Sequence, residues 1–391
     1  MLPTLAALAA TQILGWSTTF YIPAALGEVA MAATGLSRTV IFAGVTVMFL
    51  VGGLTAPLVG REVDRIGARP LMMLGSVLAG LALVMIAFTQ HAAAWFAAWF
   101  VMGLMMPMAL SGAAYAAVAQ LALARGIQPR RPMGALALAT GISISAAFPL
   151  GAFLGDHLGW QGACLVYAAI NLLVCLPLHA SVPGGTPAPR AGTEATGAAR
   201  IPPARAGRVM LLLTTAFTLH GLCSVAVELH LLALLAAAGV GPAVALSLAS
   251  ASGPIRVAAR FLDMMLARRL SALGSGLGAM ALFPPGLLFL LGGGGTGAGG
   301  FVLLWSMSLG IATVSRAALP LELFGPAGYA ARLGRLTLPV SMGQALAPMA
   351  AAALLDRVGA GVVMSLALVL ACGAVAALAS VGSMVRRGGV R

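Results

Sequence analysis

Twelve apolar runs, each long enough to cross a lipid bilayer as a helix, follow one another along this chain and constrain its fold more than any other feature. A spanning helix needs roughly 20 mostly apolar residues. Read against Pro, Gly and Arg punctuation, the first six runs fall at about 4–27, 38–59, 70–90, 93–123, 133–155 and 160–180. The second six fall at about 209–238, 242–267, 271–292, 300–322, 330–355 and 359–384. Of 391 residues only 22 are basic and 9 acidic, and mean hydropathy is +1.03. Soluble domains carry roughly 25% charged residues, so the 8% found here cannot cover a water-facing surface. A disordered chain, a soluble enzyme and a nucleic-acid-binding domain are excluded. An all-α integral membrane protein remains.

Ser181 to Gly207 is the one long stretch that is not apolar. Its five Pro, five Gly, three Arg and single Glu read as a flexible linker. The expected organisation is therefore a six-helix bundle at 1–180, a linker at 181–207 and a second six-helix bundle at 208–391. A faint repeat supports two related halves. Leu154-Gly155-Asp156-His157-Leu158-Gly159 recurs as Leu354-Leu355-Asp356-Arg357-Val358-Gly359, at the end of the fifth helix of each half. Two pseudo-symmetric halves form a transporter architecture, with a small-molecule site expected near the membrane midplane between them.

Charge placement gives the orientation. The net charge is +13 and every basic residue is arginine. With both termini in the cytoplasm, twenty of the 22 arginines fall on or toward the inner side, and only Arg38 and Arg357 fall outside. This is a positive-inside pattern. It accounts for the basic character through topology, leaving no role for nucleic acid. Met1 to Ala10 lacks a basic leader, so no cleavable signal peptide is expected. The four cysteines, Cys164, Cys175, Cys223 and Cys372, lie in apolar runs and read as small core side chains. Neither a disulfide framework nor a metal site is indicated.

The loop after the second helix reads Gly60-Arg-Glu-Val-Asp64-Arg65-Ile-Gly67-Ala-Arg69. It resembles the signature loop of the major facilitator superfamily, G-x-x-x-D-R-x-G-R-R, with Gly60, Asp64, Arg65, Gly67 and Arg69 matching and Ala68 departing. The resemblance covers the whole chain. It implies a twelve-helix secondary transporter working by alternating access in a bacterial-type inner membrane, with no cofactor, as a monomer. It also implies that the loop latches the cytoplasmic side closed while the outside is open. Independently of family, Gly60 suits a close helix approach and Gly67 a sharp turn, and Asp64 is placed to meet a helix N-terminus or an arginine. The second half carries a degenerate echo from Pro254 to Asp263, which makes Asp263 a further latch candidate.

Ionisable groups at membrane depth are rare and costly, so each is a functional candidate. His220, Ser224 and Glu228 form one stripe of the seventh helix at i, i+4 and i+8. Either His220 or Glu228 is a candidate carrier of a coupling proton, although Glu228 lies near enough to the helix end to snorkel. Arg256 falls roughly 20 Å along the eighth helix, beyond the midplane. Its place seven residues before Asp263 is similar to that of the substrate arginine in monocarboxylate- and oxalate-type members of the superfamily. Guanidinium suits carboxylate, so Arg256 is either an anion clamp or a partner of Asp263. Gln12 and Trp16 on the first helix, Tyr115 on the fourth and Gln344 on the eleventh are further substrate-contact candidates. Trp95, Trp99 and Trp160 read as interfacial anchors.

The combined expectation is a proton-coupled transporter of a small organic anion, with no catalytic residues and no metal. A proton-coupled drug or metabolite exporter is the alternative, and a membrane sensor or intramembrane enzyme is a more distant one. Drug exporters usually carry a basic residue in the fourth helix and G-P-x-x-G-G in the fifth, and neither is present. No H-E-x-x-H, G-x-S-x-G or phosphate-binding loop appears, and Gly292 to Gly300 reads as a flexible outer loop.

Overall fold

The computed structural model describes residues 1–184, 201–267 and 269–388. Most of the expected linker, with Arg190 and Arg200, lies outside the described residues, as do Arg268 and Arg391. Every regular element among the described residues is helical, as a bilayer requires of a chain that must satisfy its own backbone polar groups. In order they are α1 (Leu2–Thr18), α2 (Ile22–Thr34), α3 (Arg38–Ile66), α4 (Ala68–Ala87), α5 (Ala92–Ala109), α6 (Ser111–Ala124), α7 (Arg130–Ala169) and α8 (Leu176–Ser181). There follow α9 (Pro203–Ala237), α10 (Pro242–Leu266), α11 (Ala272–Gly293), α12 (Ala298–Phe324), α13 (Tyr329–Val358) and α14 (Ala360–Gly388). A π-helical segment, Ile170–Cys175, joins α7 to α8.

Among the described residues, eight helical runs are long and apolar enough to cross a membrane. Two of them, of 52 and 53 residues, are far longer than one crossing needs. The first holds a turn at Gly159 (φ 64°, ψ −173°). The second holds the 3-10 turn Gly294–Gly297. Gly359, the counterpart of Gly159 in the sequence repeat, also has positive φ and separates α13 from α14. The repeat thus marks two positions that only glycine occupies without strain.

Three expectations about helix boundaries change. The first helix does not run unbroken to residue 27; it ends at Thr18 and restarts at Ile22. Pro23 has no N–H to give to the Thr19 carbonyl, and its ring clashes with it. Thr18 and Thr19 turn their hydroxyls back to Leu14 and Gly15. The fourth helix breaks at Leu110 into α5 and α6, between Pro107 and the poor helix formers Ser111 and Gly112. The glycine-rich run 292–300 is helical rather than a loose loop. Gly297 is buried there, and any side chain on it would strike the Phe289 carbonyl.

The chain divides into two compact units, Met1–Glu194 with Pro326–Leu338, and Ala195–Gly325 with Pro339–Arg391. In the first, Trp95 and Trp99 are fully buried and Trp160 nearly so. The Trp95 ring lies 5.8 Å from Trp99 and 6.0 Å from Trp160. These tryptophans are core packing and not the interfacial anchors expected, since an anchor must keep an edge at the membrane surface. In the second, Phe283, Leu287, Phe301 and Trp305 centre an apolar cluster with Leu234 and Leu235. Cys164, Cys175 and Cys223 are buried as expected, whereas Cys372 is exposed on α14.

Candidate functional site

The polar stripe of α9 is the natural starting point. His220 is buried, and its Nε2 shares a 2.9 Å hydrogen bond with Ser308 Oγ of α12. The imidazole packs edge-on against Phe283, with ring centroids 5.9 Å apart. One turn on, Ser224 is buried, and its hydroxyl has no hydrogen-bond partner among the described residues. Two turns on, Glu228 accepts a 2.7 Å hydrogen bond from Arg256 Nη1. The Arg256 side chain is 17% exposed and that of Glu228 42%, so the arginine is the more enclosed partner. The two strongest candidates from the sequence, assigned separate roles there, are therefore one ion pair. The carboxylate that Arg256 meets is that of Glu228, a partner that neither sequence reading of Arg256, as anion clamp or as partner of Asp263, names. Asp263 is buried further along α10.

The position of the guanidinium follows from helix geometry. Arg256 stands fourteen residues into α10, and Glu228 nine residues before the end of α9. Their backbones thus differ by roughly 7.5 Å in distance from the α9–α10 turn, at 1.5 Å rise per residue. An extended arginine side chain covers that offset. The partner helix α12 records the same path. At Gly310 its backbone presses against α10, where a methyl group would stand 2.7 Å from the Arg256 carbonyl oxygen. Five residues earlier in α12, the Trp305 ring lies 4.8 Å beneath the Arg256 Cζ. Arg260 Nε donates to the Gly310 carbonyl at 3.4 Å.

The other site of interest lies in the first unit. The N-terminus of α13 rests on Asp64, whose two carboxylate oxygens accept the backbone N–H groups of Ala330 (3.1 Å) and Ala331 (2.8 Å). Such first-turn N–H groups have no partner within their own helix, and a carboxylate there also meets the positive end of the helix dipole. Arg332 adds an electrostatic attraction to the same carboxylate. The approach is close because Gly60 and Gly334 lack side chains. A Cβ on either would collide with the facing carbonyl, of Ala330 or of Ala56. Gly67 ends α3 at φ 86°, a conformation that disfavours any other residue. Arg65 pairs with Glu62 at 2.9 Å, and Arg69 is exposed.

The remaining candidates are dispersed. Gln12 is fully buried and donates through Nε2 to the Ala109 carbonyl at 3.0 Å, an acceptor freed by the break at Leu110. Trp16 packs edge-on against Phe20 at 5.5 Å. Tyr115 is buried in α6. Gln344 of α13 lies beside Gly221 of α9, next in sequence to His220. Sequence reasoning missed Trp305 and Ser308, which sit in the uncharged first part of α12, ahead of Arg316. It also missed Asn171, whose amide donates to Thr18 Oγ1 at 2.9 Å. Only an i, i+3 relation between Trp305 and Ser308 hinted at a shared face.

A family model described as "Major Facilitator Superfamily" matches residues 5–337. The chain belongs to this superfamily. Members of that superfamily are transporters rather than enzymes, and the family with the apolar helices makes this a multi-pass membrane protein. Among curated proteins it is similar to Monocarboxylate transporter 4 of Mus musculus, 29% identical over 170 residues, 43% of this chain and 35% of that protein. Monocarboxylate transporter 3 of Rattus norvegicus is 27% identical over 143 residues, 36% of this chain and 28% of that protein. The matches thus span about a third of those relatives. Solved structures share the superfamily fold over nearly the whole chain. The human organic anion transporter MFSD10 (TETRAN) aligns with TM-score 0.74 at 18% identity, covering 96% of this chain and 99% of the other. The superfamily transporter FucP, in the outward conformation, aligns with TM-score 0.72 at 13% identity, covering 99% of each.

Proposed function

We propose that this chain moves a small organic anion across the bacterial-type inner membrane by alternating access, coupled to protons. The observation that carries the reading is the Arg256–Glu228 pair over Trp305. A guanidinium held by one carboxylate can exchange it for another of the same chemistry. Protonation of Glu228 removes its charge and leaves Arg256 for the carboxylate of the solute. Substrate and proton then enter together, without either being favoured alone. His220, paired with Ser308, is a second titratable group on the same face of α9 and a candidate relay for the proton. The likeness to monocarboxylate transporters agrees with this chemistry.

The depth of the charge favours the same reading. With the α9–α10 turn at the outer surface, the Arg256 backbone lies roughly 21 Å inward and its head returns to about 14 Å. That is close to the middle of a hydrocarbon core about 30 Å thick. Twelve crossings follow if each of the two longest runs crosses twice and α1 with α2, and α10, each cross once. An even number puts both termini on one side, and the placement of the arginines favours the cytoplasmic one.

Asp64, Gly60, Gly67, Arg65 and Arg69 we assign to a cytoplasmic latch, in which Asp64 holds the start of α13 and releases it during the transport cycle. The buried echo residue Asp263 is its candidate counterpart. Trp16, Tyr115 and Gln344 remain candidate solute contacts. The geometry of Gln12 supports a packing role ahead of solute contact.

Uptake of a labelled carboxylate into proteoliposomes tests the assignment. Wild-type protein is expected to respond to an inward proton gradient, and Arg256→Gln to lose that uptake. Outward movement of cationic drugs driven by the same gradient, with no carboxylate flux, would instead favour the exporter reading.

A further inference from the structure

The anion reading leaves unexplained how Arg256 keeps its place once Glu228 lets go. Among the described residues the guanidinium has two contacts, the Glu228 carboxylate at 2.7 Å and the Trp305 ring at 4.8 Å. Arg256 Nε is buried and makes no hydrogen bond among the described residues. An arginine freed of its carboxylate ordinarily swings among rotamers, and ordering it again costs side-chain entropy. Here one of the two contacts does not depend on Glu228 at all.

We infer that Trp305 is the positioning residue of the anion site: its indole face holds the Arg256 guanidinium in the binding geometry while Glu228 is neutral, before the solute carboxylate arrives. The inference rests on the anion reading and adds the element that preorganises it.

Three observations carry it. Trp305 is fully buried, and its Nε1 has no hydrogen-bond partner among the described residues, so hydrogen bonding there does not explain an indole at this place. Phe301, one turn earlier on α12, shares the same apolar cluster, its ring stacked with the indole at 15° and centroids 6.1 Å apart, yet it is the Trp305 ring that meets the guanidinium. The other end of the arginine is fixed by the same helix, because Gly310 clamps the α10 backbone at Arg256. The rise from Trp305 to Gly310, about 7.5 Å over five residues, matches the reach of an arginine side chain. A guanidinium over an indole, with its side chain only 17% exposed, makes a stronger cation–π contact than one at an open surface. It restrains the charge without using up the in-plane N–H groups, which stay available for a bidentate carboxylate.

The test uses purified full-length protein and the carboxylate that most raises its thermal midpoint among acetate, propionate, benzoate and succinate. Dissociation constants and maximal transport rates are measured for wild type, Trp305→Leu, Trp305→Phe and Phe301→Leu. Trp305→Leu is expected to weaken binding about tenfold, the size of one desolvated cation–π contact, with the maximal rate within about twofold. Trp305→Phe restores most of the affinity, because a π face remains. Phe301→Leu removes comparable buried area without touching the guanidinium; it lowers the thermal midpoint but keeps affinity. Equal affinity loss in Trp305→Leu and Phe301→Leu, or no rescue by Trp305→Phe, overturns the inference and leaves the anion site standing. If Arg256→Gln binds the carboxylate as the wild type does, or no carboxylate stabilises the protein, the anion reading itself fails and takes this one with it.

Discussion

The Glu228 carboxylate and the Arg256 guanidinium meet at 2.7 Å, joining α9 to α10 across 28 residues of sequence. Each charge stabilises the other in a setting where either alone would be costly. On the proposed reading the pair works as a switch, in which whatever neutralises one member frees the other. Wild-type carboxylate uptake should rise as the pH on the entry side falls, because the protonated Glu228 leaves Arg256 to the solute. Glu228→Gln should flatten that dependence and abolish accumulation driven by a proton gradient, while carboxylate exchange between the two sides persists. Uptake into proteoliposomes across a pH series reads both effects.

Gly310 should tolerate no side chain. A methyl group there stands 2.7 Å from the Arg256 carbonyl oxygen, a backbone atom that cannot swing aside, so α10 and α12 would have to separate. Gly310→Ala is expected to cost about 1–3 kcal/mol, the usual penalty of overpacking, and to weaken anion binding by displacing Arg256. Thermal unfolding in detergent with a binding isotherm measures both. Gly278, whose Cβ direction is open, is the control that should accept alanine freely.

Asp64 should matter more for rate than for affinity. It satisfies two N–H groups at the start of α13, and Asp64→Ala leaves both without that acceptor. The loss of a cap of this kind is about 1–2 kcal/mol. If the contact is a latch, Asp64→Ala lowers the maximal transport rate several-fold with the solute dissociation constant unchanged. Asp64→Asn, which keeps one acceptor oxygen, falls between.

Gln12 should behave as a structural residue. Its Nε2 serves the Ala109 carbonyl at the break between α5 and α6. Gln12→Leu leaves that buried acceptor bare at a cost of about 1–3 kcal/mol. The thermal midpoint should fall while carboxylate affinity holds. An affinity loss with no loss of stability would place Gln12 in the solute site instead.

Much of the architecture was legible because membrane helices announce themselves by hydrophobic length, and because Gly60, Asp64 and Gly67 form a recognisable loop. The paired glycines Gly159 and Gly359 were visible in a six-residue repeat, and both turn out to have positive φ. Helix breaks were less legible. Pro23 signals one plainly in retrospect, but the break at Leu110 lies three residues beyond Pro107 and depends on tertiary support from Gln12. The candidate site was half legible. A charge in an apolar helix stands out, so His220, Glu228 and Arg256 were found. That two of them pair could not be read from helix-end distances alone, because an arginine side chain moves its charge by more than a helical turn. Trp305 escaped because an aromatic in an apolar run is ordinarily core, and only the ring beneath the guanidinium distinguishes it.

The central claim is that Arg256 receives the carboxylate of the transported solute. Its most direct measurement is uptake of radiolabelled carboxylate into proteoliposomes by wild type and Arg256→Gln, at equal incorporated protein and with matched thermal midpoints. The account predicts proton-driven uptake by the wild type and a loss of at least about tenfold in the variant. Uptake by Arg256→Gln equal to that of the wild type would contradict it.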